Sequence, residues 1–196
     1  MKKLVIIILT FLSVPLFAVD SPGHKAKGLF LAVGVGPRFP VGSFANTSKL
    51  GYGFDIELSY TDNEVLPVFI FIKTGFENYP GSQNFYRTSN YSNFSTSVIP
   101  VKLGVRYFLA PLVESQALLM PVLELSASYG LFHTLNEFKT GTGIPNYSDE
   151  KSKFGLTAGV GFSAFMLELL ASYNYFNSSQ FFSVDLKVRL PIFLQY

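Results

Sequence analysis

The sequence predicts an all-β fold: eight antiparallel strands closed up-and-down into a barrel. Three observations point there. Apolar residues recur at every second position in eight separate stretches, which is the period of a strand. The faces they form contain no charge, while the opposite faces carry twelve. Only 14% of the 196 residues are charged, against about 25% in a typical soluble domain.

The stretch "MKKLVIIILTFLSVPLFAVD" precedes the first strand and reads as a secretory signal peptide over 1–18. Lys2 and Lys3 form its basic start, Leu4 to Leu12 its apolar core, and Ala18 a small residue before cleavage. The barrel domain is then 19–196. Removing Lys2 and Lys3 from 15 basic residues leaves 13, equal to the 13 acidic ones. A neutral mature chain lacks the basic footprint of a nucleic-acid binder. With no Cys there is no disulfide, thiolate metal site or Cys nucleophile.

The strands follow in order. "GLFLAVGVG" places Leu29, Leu31, Val33 and Val35 on one face. "GYGFDIELSY" places Tyr52, Phe54, Ile56, Leu58 and Tyr60 together, and "VFIFIKTGF" does so for Val68, Ile70, Ile72 and Phe76. "SVIPVKLGVRYFL" contributes Ile99 to Leu109 at alternate positions, and "LLMPVLELSASYGL" contributes Leu119, Leu123, Leu125, Ala127, Tyr129 and Leu131. "FGLTAGVGFSA" and "LELLASYNY" repeat the pattern through Phe154–Phe162 and Leu167–Tyr175. The last, "FFSVDLKVRLPIFLQY", is apolar at every second residue from Phe182 to Tyr196. The intervening stretches alternate between long (38–51, 78–96, 132–153, and a shorter 176–181) and short (61–67, 110–117, 165–166).

Alternation does not say which face points outward, since a soluble lipocalin-like barrel has the same pattern with its apolar face inside. The opposite faces here are rich in Gly and Ser and balanced in charge, which suits a narrow interior. Four strands end on Tyr60, Tyr107, Phe162 and Tyr196 at the short-turn end, as an interfacial girdle does. The reading is therefore a transmembrane barrel, because only closure satisfies every strand's backbone in lipid.

The terminal alternation Val188, Leu190, Ile192, Leu194, Tyr196 resembles the C-terminal assembly signal of bacterial outer-membrane proteins. The whole mature chain resembles small eight-stranded barrels of the OmpA/OmpX/OmpW type, with "FPVGSFANTSKLGYGFDIELSY" and "IPVKLGVRYFL" as loose shared phrases. That resemblance implies an outer-membrane location with both termini in the periplasm. It implies outer-membrane lipid and the assembly machinery as partners, with an unidentified surface ligand for the loops. An OmpW-like conduit for small apolar molecules is the alternative role, with Phe69, Phe71, Met120 and Val122 along the wall.

No cofactor, metal or catalytic set is expected. Lipid A deacylases on this fold carry His-x-Ser where this chain has His133, Thr134 and Leu135, so the base has no nucleophile beside it. His24 lies near the start of the mature chain. The glycines of "GVGPRFPVGSF" lack the strand-to-helix context of a phosphate loop. "NYPGSQNFYRTSNYSNFSTS" mixes Tyr, Phe, Asn and Ser, a composition shared by binding loops and ordinary exposed loops.

The candidate interior is six acids (Asp55, Glu57, Glu77, Glu124, Glu168, Asp185) and six bases (Arg38, Lys73, Lys102, Arg106, Lys187, Arg189). Eight strands leave room only for side chains, and buried charges must be paired. Hairpin registers placing Tyr60 opposite Val68, Leu109 opposite Ala117 and Tyr175 opposite Phe182 would pair Asp55 with Lys73, Lys102 with Glu124 and Glu168 with Arg189. A slip of two residues in the last gives Lys187 instead. The expectation is a lumen closed by an ion-pair network.

Overall fold

The computed structural model describes residues 27–62, 66–112 and 119–195. The signal segment 1–18, the start of the mature chain with His24, and Tyr196 lie outside them. The strands are β1 (Lys27–Val41), β2 (Gly51–Asp62), β3 (Leu66–Pro80), β4 (Tyr91–Phe108), β5 (Leu119–Phe138), β6 (Tyr147–Ala164), β7 (Leu167–Phe176) and β8 (Gln180–Gln195). Two short helices, α1 (Phe44–Thr47) and α2 (Gln83–Thr88), sit in the β1–β2 and β3–β4 connections. Every strand pairs antiparallel with its neighbours in sequence, and β1 pairs with β8 to close the barrel. Closure leaves no edge strand with unpaired backbone groups.

All eight alternating stretches lengthen into the segments read as loops, β7 by the single residue Phe176. Residues 132–138 continue β5 and 147–153 begin β6, paired from Phe132 opposite Lys151 to Asn136 opposite Tyr147. Above the apolar band the outward face mixes polar with apolar residues, so the alternation that marks a strand disappears. The backbone still needs partners, and the ladder runs on.

The two ends therefore differ less in connection length than the sequence suggested. The lower connection 109–118 is as long as the upper one at 81–90. What distinguishes the ends is how far the strands rise above the apolar band. The tightest lower turn joins Ala164 to Leu167, which face each other. It lacks Gly or Asn, and its first central residue, Phe165, adopts φ 57°. That left-handed backbone costs an ordinary side chain about 1–2 kcal/mol.

The registers also correct three expected pairings. Tyr60 faces Ile70, so Glu57 rather than Asp55 is opposite Lys73, and Asp55 faces Gly75. Arg106, not Lys102, is opposite Glu124, and Lys102 faces Ser128. Glu168 faces Lys187, the slipped alternative. The alternation dictates parity but not register, so shifts of two or four residues leave the sequence pattern unchanged.

The terminal strand carries a further correction. Phe30 faces Pro191 while Leu29 faces Phe193, so β8 holds one extra residue there. Such a bulge reverses parity beyond it. Leu194 then stands opposite Gly28, off the face that carries Val188 and Leu190. The apolar alternation is unbroken in sequence and broken in space.

Candidate functional site

All twelve charged residues expected inside are buried, with Glu57, Arg106 and Lys187 at 0% exposure. The alternate residues point the other way and are exposed, among them Val33, Ile56, Leu103, Leu125 and Val160. A barrel in water cannot hold its charges in the middle and its aliphatic side chains outside; a barrel in lipid must. The chain is an eight-stranded antiparallel transmembrane β-barrel.

No family model matches the chain, and no curated protein matches it. Among solved structures it is similar to Neisserial surface protein A, at 15% identity over 85% of this chain and 99% of that one, with a TM-score of 0.46. It is also similar to Ail, the attachment invasion locus protein of Yersinia pestis, in complex with the heparin analogue sucrose octasulfate. There the identity is 14% over 86% of this chain and 100% of that one, with a TM-score of 0.47.

Inside the barrel, Glu57 is the hub. It accepts from Arg106 at 2.6 Å, from Lys187 at 2.9 Å and from Arg189 at 2.9 Å. Arg106 also donates to Glu124 and lies 3.5 Å from Glu168. Lys73 reaches Glu124 at 2.8 Å, and Arg189 reaches Glu168 at 2.6 Å. A second cluster stands nearer the long-loop end. There Arg38 holds Asp185 at 2.6 Å and Glu77 at 3.1 Å, with Asp55 at 3.9 Å. Lys187 joins the two clusters, reaching Asp55 at 3.3 Å.

Lys102 differs from the other eleven. Among the described residues it forms no ion pair, and its Nζ donates to Asn174 Oδ1 at 2.5 Å.

Contrary to the expected hairpin pairing, most of these contacts join strands that are not hairpin neighbours. Lys187 and Arg189 on β8 reach acids on β2 across β1. The β1 positions in register between them are Gly34 (between Asp55 and Lys187) and Ala32 (between Glu57 and Arg189). A Cβ on Gly34 would lie 2.8 Å from Lys187 Cγ and 3.1 Å from both Asp55 carboxylate oxygens. Small side chains on one strand thus open the path between its neighbours. The signal lay in the inward positions of "AVGV", where Ala and Gly leave space rather than form contacts.

Two apolar groups close the ends of this charged section, the first unforeseen in the sequence and the second built around Phe69, which was expected along the wall. At the long-loop end, Tyr79, Val98, Phe132, Phe176 and Phe181 point inward and pack with Phe44 from α1. The Tyr79 ring contacts Phe44 at 4.9 Å and Phe181 at 5.4 Å. All five strand residues share the parity of the charges, so parity could have found them. At the other end Phe69 packs between Phe30 and Phe108, at 5.5 and 4.9 Å. The Arg106 guanidinium lies 5.1 Å over the Phe71 ring. Phe69 and Phe71 therefore pack beside the charges instead of forming a continuous apolar wall.

The long-loop end carries a second candidate site. Phe85, Tyr91, Phe138 and Tyr147 form a run of rings, with centroids 4.9, 4.6 and 6.0 Å apart. Their setting is held from several directions. Lys139 Nζ donates to the backbone carbonyls of Tyr86 and Ser89, both at 2.8 Å. The Tyr86 hydroxyl donates to the Phe94 carbonyl at 2.8 Å and accepts from its N–H at 3.0 Å.

His133 lies within β5 rather than after it. It faces Glu150, with Nδ1 3.3 Å from Oε1. Leu135 occupies the position two residues on. Among the described residues no cluster of His, Asp or Glu is arranged to hold a metal ion.

Proposed function

We propose that this barrel acts at the bacterial surface through its long-loop end, with a lumen filled by ion pairs and no general pore. The observation that carries this reading is the packing of the interior. The void beside Arg38, Lys73, Lys102 and Asp185 is about 10 Å³, room for one water at most. Conduction through a straight path would require several ion pairs to part in a medium where each unpaired charge costs several kcal/mol. The activity then falls to the exterior, and the reading includes no catalytic step. The aromatic run at Phe85, Tyr91, Phe138 and Tyr147 supports surface binding, because its rings are held before any ligand arrives. Purified protein in planar bilayers should give no large, steady single-channel conductance. A stable open level of porin size would overturn the closed lumen.

The same reading puts the barrel in the outer membrane, with both termini and the short turns in the periplasm and 1–18 removed as a signal. A tag inserted near Asn90 or Gly143 should be reachable on intact cells, and one near Asn63 or Ser115 should not. Equal labelling at all four positions would contradict this topology. The assembly machinery is proposed to read the C-terminal residues Val188, Leu190, Ile192, Leu194 and Tyr196. Replacing Tyr196 by Asp should leave protease-sensitive protein in the periplasm, and normal membrane yield would count against the assignment.

A further inference from the structure

The void inside the barrel is small and strongly polar. Its lining includes three bases (Arg38, Lys73, Lys102) and three acids (Asp55, Glu77, Asp185). Its volume of about 10 Å³ matches one water position.

Three groups around it keep hydrogen-bonding capacity to spare. Lys102 Nζ carries three protons, and among the described residues only Asn174 Oδ1 receives one, at 2.5 Å. Ser172 Oγ lines the void, is buried, and has no hydrogen-bond partner among the described residues. Asp55 Oδ1 lies 3.3 Å from Lys187 Nζ but accepts no hydrogen bond there. Buried polar groups in native proteins almost always find a partner.

The neighbours are already committed. Asn174 Oδ1 also accepts from Thr157 Oγ1 at 2.9 Å, and Asn174 Nδ2 donates to Ser183 Oγ at 3.1 Å. Glu77 and Asp185 are held by Arg38 at 3.1 and 2.6 Å. The wall beside the void is short of a donor as well. Thr74 faces Val101 and Glu77 faces Val98, but the ladder lapses at Gly75 between them. Pro100, opposite Gly75 in that register, lines the void and has no N–H.

The charges select the ligand. An anion in the void would meet Asp55, Glu77 and Asp185, and a cation would meet Arg38, Lys73 and Lys102. The lining favours a neutral molecule that both donates and accepts, and the volume admits only the smallest. We propose that the void is a binding site for a single water molecule, which accepts from Lys102 Nζ, contacts Ser172 Oγ and donates to Asp55. Lys102 is then joined to an acid as a water-separated ion pair. That accounts for a buried ammonium with no direct carboxylate partner, which would otherwise be costly. The other five buried bases face six buried acids, so one negative charge is left for Lys102.

This site exists only in a closed lumen, as proposed above, and one experiment separates the two. The barrel is prepared with isotope-labelled lysine and folded in micelles, and its ammonium protons are recorded by NMR. Lys102→Met, which keeps the chain and drops the ammonium, assigns the Lys102 signal. Water contacts are read as paired laboratory-frame and rotating-frame Overhauser effects. These have opposite signs for a long-lived bound water and the same sign for proton exchange. Lys102 and Ser172 should both show opposite signs. Ser172→Ala should cut the Lys102 contact about fivefold, the scale of one hydrogen bond. Ser126→Ala should leave it unchanged, since Ser126 Oγ is equally buried and unpartnered but lies outside the lining of the void. Replacing chloride in the buffer with gluconate should change nothing. Altered migration of unboiled protein on gels verifies folding of each variant. A slowly exchanging Lys102 ammonium without a bound-water contact would overturn the site. So would an unchanged contact in folded Ser172→Ala, or a Lys102 signal that follows chloride. A Lys102 ammonium exchanging as fast as surface lysines would overturn the closed lumen together with the site.

Discussion

Glu57→Ala should destabilise the barrel by about 3–5 kcal/mol, the cost of removing one partner from a dry, buried ion pair. Glu57 is fully buried and receives Arg106, Lys187 and Arg189 together. Without it, three bases share the remaining acids and the interior gains an uncompensated positive charge. Asp55, Glu124 and Glu168 stay within reach of those bases, so the barrel should still assemble, at lower denaturant tolerance. Glu57→Gln separates charge from volume, because it keeps the shape and two hydrogen-bonding atoms. It should retain most of the penalty. Unfolding in guanidinium, followed by the loss of the unboiled gel band, measures both. Costs below about 1 kcal/mol for the two variants would mean that water screens the lumen.

Gly34→Val should be nearly as damaging, through space rather than charge. Its added carbons would fall where Lys187 crosses β1 toward Asp55, since even a Cβ lies 2.8 Å from Lys187 Cγ. Overpacking alone costs about 1–3 kcal/mol. Displacing Lys187 from Asp55 and Glu57 adds a share of the ion-pair cost. A double-mutant cycle isolates the mechanism. In a Lys187→Ala background the crossing side chain is gone, so Gly34→Ala should cost markedly less than it does in the wild type. Equal cost in both backgrounds would show that Gly34 is needed for its backbone and not for the path it leaves open.

The contrast between Lys187 and Lys102 shows where sequence reasoning stopped. Both lie on the inward parity of a strand, and parity alone assigned both to the lumen. It could not say that Lys187 would reach Asp55 and Glu57 across β1 while Lys102 would meet an amide, Asn174. Those outcomes depend on register, on shear around the ring, and on which intervening side chains are small.

Alternation was enough for the strand count, the two faces and the buried twelve, because a side-chain period of two is a local property of extended backbone. It was also enough to show that the interior charges balance. A period of two reads the same from either face, so the choice of lipid outside over apolar core inside came from the Gly- and Ser-rich, charge-balanced opposite faces and the aromatic strand ends. The burial of the charges bears it out. Register, the bulge that turns Leu194 off the Val188 face, and every specific ion-pair partner came from tertiary structure alone. Those are set by where each strand begins against its neighbour, and a shift of two residues there changes all the partners while leaving the sequence pattern untouched.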